Sequence, residues 1–212
     1  MKKPLILITN DDGIDSKGIR FLVSVMKNFG EVVVVAPDSP QSGMGHAITV
    51  GDKLRLVKSD LFGSIDSYKC SGTPADCVKI AKHHLLKDRN IDLITSGINH
   101  GSNSSISVLY SGTMSAAIEG AIENTASIGF SLCDYDPNAS LSHTEPYISK
   151  IINNTLNNGL PKSIALNVNF PSKSNNKIKG VKVCKQANAY WEEIFDKRLD
   201  PYGREYYWMV GN

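Results

Sequence analysis

Two adjacent carboxylates, Asp11 and Asp12, stand between Asn10 and Gly13, directly after the apolar run at 5–8. Side by side they repel, so a positive group is expected to hold them. Two further polar clusters offer oxygen donors of the kind a hard cation takes. They are Ser39-Pro40-Gln41-Ser42-Gly43-Met44-Gly45 and Ser96-Gly97-Ile98-Asn99-His100-Gly101-Ser102-Asn103. Carboxylates, a hydroxyl and an amide carbonyl, with no cysteine among them, suit Mg²⁺ or Mn²⁺, or Ca²⁺ as a structural occupant, rather than zinc or copper. The candidate metal ligands for one cation are Asp11, Asp12, Ser42 and Asn99. Each alone has a plainer reading. Asp-Asp-Gly is commonly a turn or a cap. Ser42 is then a loop serine, and Asn99 a left-handed turn residue beside Gly101. Their joint placement after three separate strands favours the metal.

A fourth cluster, Tyr110-Ser111-Gly112-Thr113, opens a helix. Free N–H groups and the helix dipole favour an anion there. Asn10, Ser111, Gly112 and Thr113 are therefore the candidate phosphate contacts, against the plainer reading of an ordinary N-cap. A divalent cation beside a phosphate cradle points to phosphoester hydrolysis, with Asp11, Asp12 and Asn99 as the catalytic set. His46 and His100 could carry protons near neutral pH, or be surface loop residues. His83 and His84 are adjacent on a helix and read as surface, and His143 lies in a polar segment with no visible partner. There is no P-loop, no dinucleotide fingerprint and no G-x-S-x-G elbow.

These clusters need a scaffold that brings them to one edge, and the rest of the chain supplies it. Short β-like runs at 5–8, 32–35, 92–95, 128–132 and 164–168 alternate with helical periods. Ile19, Leu22, Val23 and Met26 mark a first amphipathic helix, which Gly30 is expected to close. Thr73 and Pro74 open a second as N-cap and first helical residue. A third starts at Thr113, with Met114, Ala117, Ile118 and Ala121 on one face, and Ile148, Ile151 and Ile152 mark a fourth. Smaller strands are expected at 48–50, 54–57 and 65–69, and a long loop at 96–112. Alternating strands and helices predict a three-layer α/β fold with a mostly parallel sheet. Parallel strands put the polar clusters on the same edge.

The chain has 212 residues and a formal net charge of +2. Charges are dispersed, so no nucleic-acid polymer is indicated as a partner. No apolar run approaches the roughly 20 residues that span a bilayer. The Met1-Lys2-Lys3-Pro4 start lacks an apolar run long enough for a signal peptide. Cys70, Cys77, Cys133 and Cys184 form no C-x-x-C pair and read as small buried hydrophobes in a reducing cytoplasm. The last forty residues are charged and aromatic, with Tyr190, Trp191, Tyr206, Tyr207 and Trp208.

In their order and spacing these clusters resemble the SurE survival-protein family of metal-dependent phosphatases. The resemblance rests on Asn10-Asp11-Asp12-Gly13, on residues 37–49 around Gln41-Ser42-Gly43, on Gly72-Thr73-Pro74-Ala75-Asp76-Cys77, on residues 96–103, and on Tyr110-Ser111-Gly112-Thr113 with Ala116, Ala117, Glu119 and Gly120. It spans about half the chain. It implies a Rossmann-like α/β core and metal ligation by Asp11, Asp12, Ser42 and Asn99. It implies phosphate contact near Ser111, Gly112 and Thr113, and a cytoplasmic homodimer or homotetramer. The implied activity is hydrolysis of nucleoside 5'-, and also 3'-, monophosphates, sometimes with polyphosphatase activity. Residues 1–185 are then the catalytic domain. Residues 186–212 are an arm with a β-hairpin used in oligomer contacts, incomplete because family members continue beyond the region resembling Tyr206-Tyr207-Trp208. The competing readings are a non-catalytic nucleotide or anion sensor, a short-chain exopolyphosphatase as the main activity, and an aspartyl-phosphate phosphotransferase.

Overall fold

Leu5 to Ile8 point alternately to the two faces of a sheet, and both faces are buried, so the strand carries no polar side. A computed structural model describes residues 3–173, 178–190 and 192–211. Trp191, the Met1-Lys2 start and Asn212 lie outside the described residues. In chain order the elements are β1 (Leu5–Thr9), α1 (Lys17–Met26), β2 (Glu31–Pro37), β3 (Leu56–Ser59), β4 (Asp66–Cys70), α2 (Pro74–Ile80), β5 (Leu93–His100), α3 (Gly112–Ile122), β6 (Ser127–Cys133), α4 (Glu145–Asn158), β7 (Ala165–Pro171), β8 (Glu193–Leu199) and β9 (Glu205–Gly211). Seven strands form one sheet in the order β3-β4-β2-β1-β5-β6-β7, and β8 and β9 form a separate antiparallel hairpin. All neighbours in the large sheet are parallel except β3, which runs antiparallel beside β4. Without β3 this is the strand order of a Rossmann sheet.

Two apolar layers sandwich the sheet. Ile6, Ile8, Val32 and Val34 pack under α1 and α4, with Phe130, Ile148 and Ile152. Leu5, Leu7, Val33 and Val35 pack under α2 and α3, with Cys77, Val78 and Ala116. Each fully buried aliphatic or aromatic side chain contributes about 1.5–3 kcal/mol. The expected face of α1 is confirmed, since Ile19, Leu22, Val23 and Met26 are all buried. The capped start of α2 is also confirmed. Thr73 Oγ1 accepts from the Asp76 N–H at 3.2 Å, and the Asp76 carboxylate accepts from the Thr73 N–H at 2.9 Å.

Several local expectations are corrected. Helix α1 ends at Met26 with Lys27 as its cap, short of Gly30. Residues 48–50 form no strand, because the Thr49 N–H and hydroxyl both donate to Asp76, at 3.0 and 2.6 Å. The run expected at 54–57 is displaced to Leu56–Ser59. Residues 96–100 are strand rather than loop, since β5 continues to His100 by pairing Asn99 with Ser131 and His100 with Leu132. Only Cys70 and Cys77 are buried; Cys133 and Cys184 are exposed. Among the described residues no helix is long and apolar enough to cross a membrane.

Candidate metal and phosphate site

Strand order reverses at β1, whose neighbours are β2 on one side and β5 on the other. In open α/β sheets, ligands bind outside the carboxyl ends of the strands at such a switch point. Asn10, Asp11 and Asp12 leave β1 there, and Asn99 and His100 end β5 beside them.

Asn10 builds the turn. Its buried amide donates to the Gly13 carbonyl at 2.9 Å and to Ser16 Oγ at 2.8 Å. Asp11 then faces the N-terminus of α3. Thr113 Oγ1 donates to Asp11 Oδ1 at 2.5 Å, and the backbone N–H groups of Gly112 and Thr113 also bond to this side chain. A Cβ on residue 112 would lie 2.6 Å from Asp11 Cβ, so glycine is what allows the helix end this close. Burial pushes the Asp11 carboxyl up from its ordinary pKa, and these donors pull it partly back.

That geometry gives the residues of the expected phosphate cradle a second task. The positive end of α3 already holds an anion, the Asp11 carboxylate. Asn10, Gly112 and Thr113 shape the carboxylate turn, and none of the three lines the cleft. Ser111 does line it. Its Oγ accepts from the Met114 N–H at 3.0 Å, which leaves the hydroxyl proton free for a ligand.

Asp12 has no such support. Its Oδ2 is buried without a hydrogen-bond partner. Burial, and then the neighbouring Asp11 charge, raise its pKa to about 6. Among the described residues no Lys or Arg lines the cleft to compensate it. Two buried carboxylates without a cation are costly, and a divalent ion fits this donor set.

The remaining candidate ligands come to the same place. The Gln41 N–H donates to the Asp11 carbonyl at 2.7 Å and the Gly45 N–H to the Tyr110 carbonyl at 3.2 Å, which pins the loop carrying Ser42 at both ends. In β5 one extra residue between Ser96 and Asn99 makes a bulge against β6. Bulges re-aim side chains. Gly97 at its centre has φ +126°, and a Cβ there would lie 2.4 Å from the Phe130 carbonyl oxygen. Asn99 Nδ2 donates to the Gly101 carbonyl at 2.9 Å, which leaves its Oδ1 as the unused atom. Asp11, Asp12, Ser42 and Asn99 line one cavity of ≈ 590 Å³. Among the described residues no group of three or more His, Cys, Asp or Glu is placed to hold a metal, so the set depends on the neutral oxygens of Ser42 and Asn99. A larger cavity of ≈ 720 Å³ opens beside Lys3, Phe29, Asp92 and Gly159 and contains none of these residues.

The histidines separate. His100 lines the cleft, its Nε2 is buried without a partner, and burial lowers its pKa, which favours the neutral ring. His46 turns away to Glu119, with Nε2 2.8 Å from Oε2, and Lys79 meets the other oxygen at 2.6 Å. His83 pairs with Glu123, His84 is exposed, and His143 Nε2 donates to the Pro171 carbonyl at 3.1 Å. An asparagine network went unread in the sequence. The Asn103 N–H donates to Asn169 Oδ1 at 2.9 Å, its amide donates to Ser131 Oγ at 2.7 Å, and Asn167 donates to its carbonyl at 2.7 Å. The spacing of Asn167 and Asn169, two apart on a strand and so on one face, was the available signal. Tyr110, Tyr135 and the hairpin residues Glu193, Met209 and Val210 also line the cleft.

The family model for survival protein SurE matches residues 6–193. The chain is 66% identical over 212 residues to a 5'-nucleotidase SurE of Cytophaga hutchinsonii, covering 100% of this chain and 82% of that protein. It is 61% identical over 212 residues to a 5'-nucleotidase SurE of Christiangramia forsetii, covering 99% of this chain and 81% of the relative. A crystal structure of SurE protein from Aquifex aeolicus superposes with a TM-score of 0.83 at 38% identity, covering 98% of this chain and 82% of that one. The match along nearly the whole chain and the shared fold agree with the clusters at the strand ends: the chain belongs to the SurE family.

Proposed function

We propose that this protein hydrolyses nucleoside 5'-monophosphates to nucleoside and phosphate with the help of one divalent cation, Mg²⁺ or Mn²⁺. The observation that carries the reading is the adjacent buried carboxylates Asp11 and Asp12 at the sheet's switch point, where α3 supports Asp11 but Asp12 Oδ2 is buried and unpartnered. The relatives named 5'-nucleotidase supply the substrate class.

Asp11, Asp12, Ser42 and Asn99 would hold the ion. A divalent cation supplies positive charge to the phosphoryl oxygens and acidifies water. The chain's own groups do the rest. Helix α3 fixes Asp11, so that its free edge faces the cleft in one orientation. Ser111 donates its hydroxyl proton to the phosphate. The proton lost by the attacking water has two acceptors on the cleft wall, Asp12 Oδ2 and the neutral imidazole of His100. The β8–β9 hairpin leaves Ile194, Phe195, Tyr207, Trp208 and Met209 exposed, and packs against a second copy in a homodimer or homotetramer. The site of action is the cytoplasm.

The test is phosphate release from a nucleoside 5'-monophosphate with Mg²⁺ or Mn²⁺, before and after chelation. Activity is expected to vanish with excess chelator and to return with added metal. Turnover that persists in chelator removes the metal from the reading. Nucleotide binding with no turnover under any metal replaces hydrolysis with sensing.

A further inference from the structure

The cleft lining is chemically mixed. Asp11, Asp12, Ser42 and Asn99 give it an anionic, oxygen-rich part, whereas Tyr110, Tyr135, Met209 and Val210 add aromatic and apolar surface. A phosphate and a cation have no use for that second part. Both tyrosines are exposed, Tyr110 by 53% and Tyr135 by 76%, so neither is there to fill the core. Among the described residues neither hydroxyl makes a hydrogen bond, so the rings are not held by polar contacts of their own.

Both rings are tied to the polar groups. Asn99 donates to the Gly101 carbonyl at 2.9 Å. A Cβ on Gly101 would lie 2.7 Å from Tyr135 Cε1, so this ring stands directly against the turn that orients Asn99. Tyr110 immediately precedes Ser111, the N-cap of α3. Its carbonyl takes the Gly45 N–H at 3.2 Å, on the loop that carries Ser42. Two exposed aromatic faces therefore flank the groups that would hold cation and phosphate.

We propose that Tyr110 and Tyr135 form the platform on which the nucleobase of the substrate stacks, making them specificity-determining residues for a nucleotide over a base-free phosphate ester. The proposal rests on the hydrolytic reading of the same site. Stacking suits it because every base has a π-face, so a platform of this kind admits purines and pyrimidines alike. It excludes small phosphate esters by withholding binding rather than by a clash.

The experiment compares a nucleoside 5'-monophosphate with ribose 5-phosphate, which shares everything except the base. In wild type, kcat/KM is expected to favour the nucleotide. In Tyr110→Ala and Tyr135→Ala the ratio of the two kcat/KM values should fall by roughly tenfold, the worth of one lost base–aromatic stack. Tyr→Phe at each position should restore it, since the face and not the hydroxyl does the binding. Gly101→Ala, which pushes on the Tyr135 ring, should lower the same ratio. Equal loss on both substrates, or a ratio unchanged in all variants, overturns the proposal. Dissociation constants measured by calorimetry in the presence of Mg²⁺ give the same ratio without turnover. Wild type that discriminates in binding but releases no phosphate supports the platform and refutes hydrolysis. Wild type that hydrolyses both esters equally well does the reverse.

Discussion

Replacing Gly112 by alanine tests whether α3 approaches the site to serve Asp11 or to serve a phosphate. The added Cβ would lie 2.6 Å from Asp11 Cβ, 3.2 Å from its Cγ and 3.1 Å from Oδ2. Ordinary carbon–carbon contacts sit at about 3.5–4.0 Å. Roughly 1 Å must therefore open between helix and turn, and the obstacle is the stem of a short buried side chain, not a flexible tip. Misplacement on that scale near reacting groups costs on the order of a hundredfold in rate, which is about 2.7 kcal/mol. Helix propensity alone would leave the variant neutral or more stable, by up to about 1 kcal/mol. The expected result is a folded protein with weakened metal binding in calorimetry and kcat/KM for phosphate release down by roughly 10²-fold. Native metal affinity with only a raised KM would refute the reasoning, since it would mean that the glycine makes room for substrate phosphate.

Asp12→Asn should remove metal-dependent activity, and its stability carries a second signature. Burial pushes the folded wild-type carboxyl up to about 6, above its ordinary 3.8. Between those values the unfolded chain is ionised while the folded one is not, so ionisation progressively disfavours the fold as pH rises, fully above about 6. In metal-free buffer Asp12→Asn should thus melt higher than wild type at pH 8, with the gap closing toward pH 4. Scanning calorimetry at the two pH values checks it, and an equal gap at both removes the burial argument. Glu119→Ala leaves Lys79 and His46 without their shared carboxylate, which is only 4% exposed. Both partners remain partly solvated, so the loss should sit near 1–2 kcal/mol in urea unfolding, and metal affinity should fall as the loop carrying Ser42 loosens. A stability unchanged within error would show that the ion pairs contribute nothing.

The parts of the molecule legible in the sequence are those in which near neighbours decide. The face of α1 and the capping box at Thr73 and Asp76 follow from spacing within a turn or two. Asp11 and Asp12 were found because they directly follow an apolar strand. What stayed hidden depends on distant partners. Residues 96–100 read as a polar loop, yet Asn99 and His100 pair with β6 across a bulge. The Thr113–Asp11 bond joins residues 102 apart, so the two looked like separate sites, one for cation and one for phosphate. His46 reads as either a proton carrier or a surface loop residue, and its partner Glu119 lies 73 residues on.

The two aspartates that the sequence makes equivalent become unlike through α3. A helix N-terminus favours a nearby anion by about 0.3–1 kcal/mol, and more where partly buried. Charge-assisted hydrogen bonds add roughly twice the strength of neutral ones. All of that support falls on Asp11 and none on Asp12. Asp11 is therefore the fixed carboxylate, oriented before any ligand arrives. Asp12 keeps an unpartnered oxygen and a pKa near neutrality, so its charge responds to what enters the cleft. An arriving cation stabilises the ionised form of Asp12 and displaces its proton, so metal binding at pH 5 to 6 should release protons into solution. Calorimetric titrations in buffers of different ionisation enthalpy would show this as a buffer-dependent heat at pH 5.5 that is absent at pH 8. The same contrast should shrink in Asp12→Asn and persist in Tyr135→Phe. Buffer-independent heats at pH 5.5 would mean that Asp12 is already ionised and that α3, despite its geometry, supports both carboxylates alike.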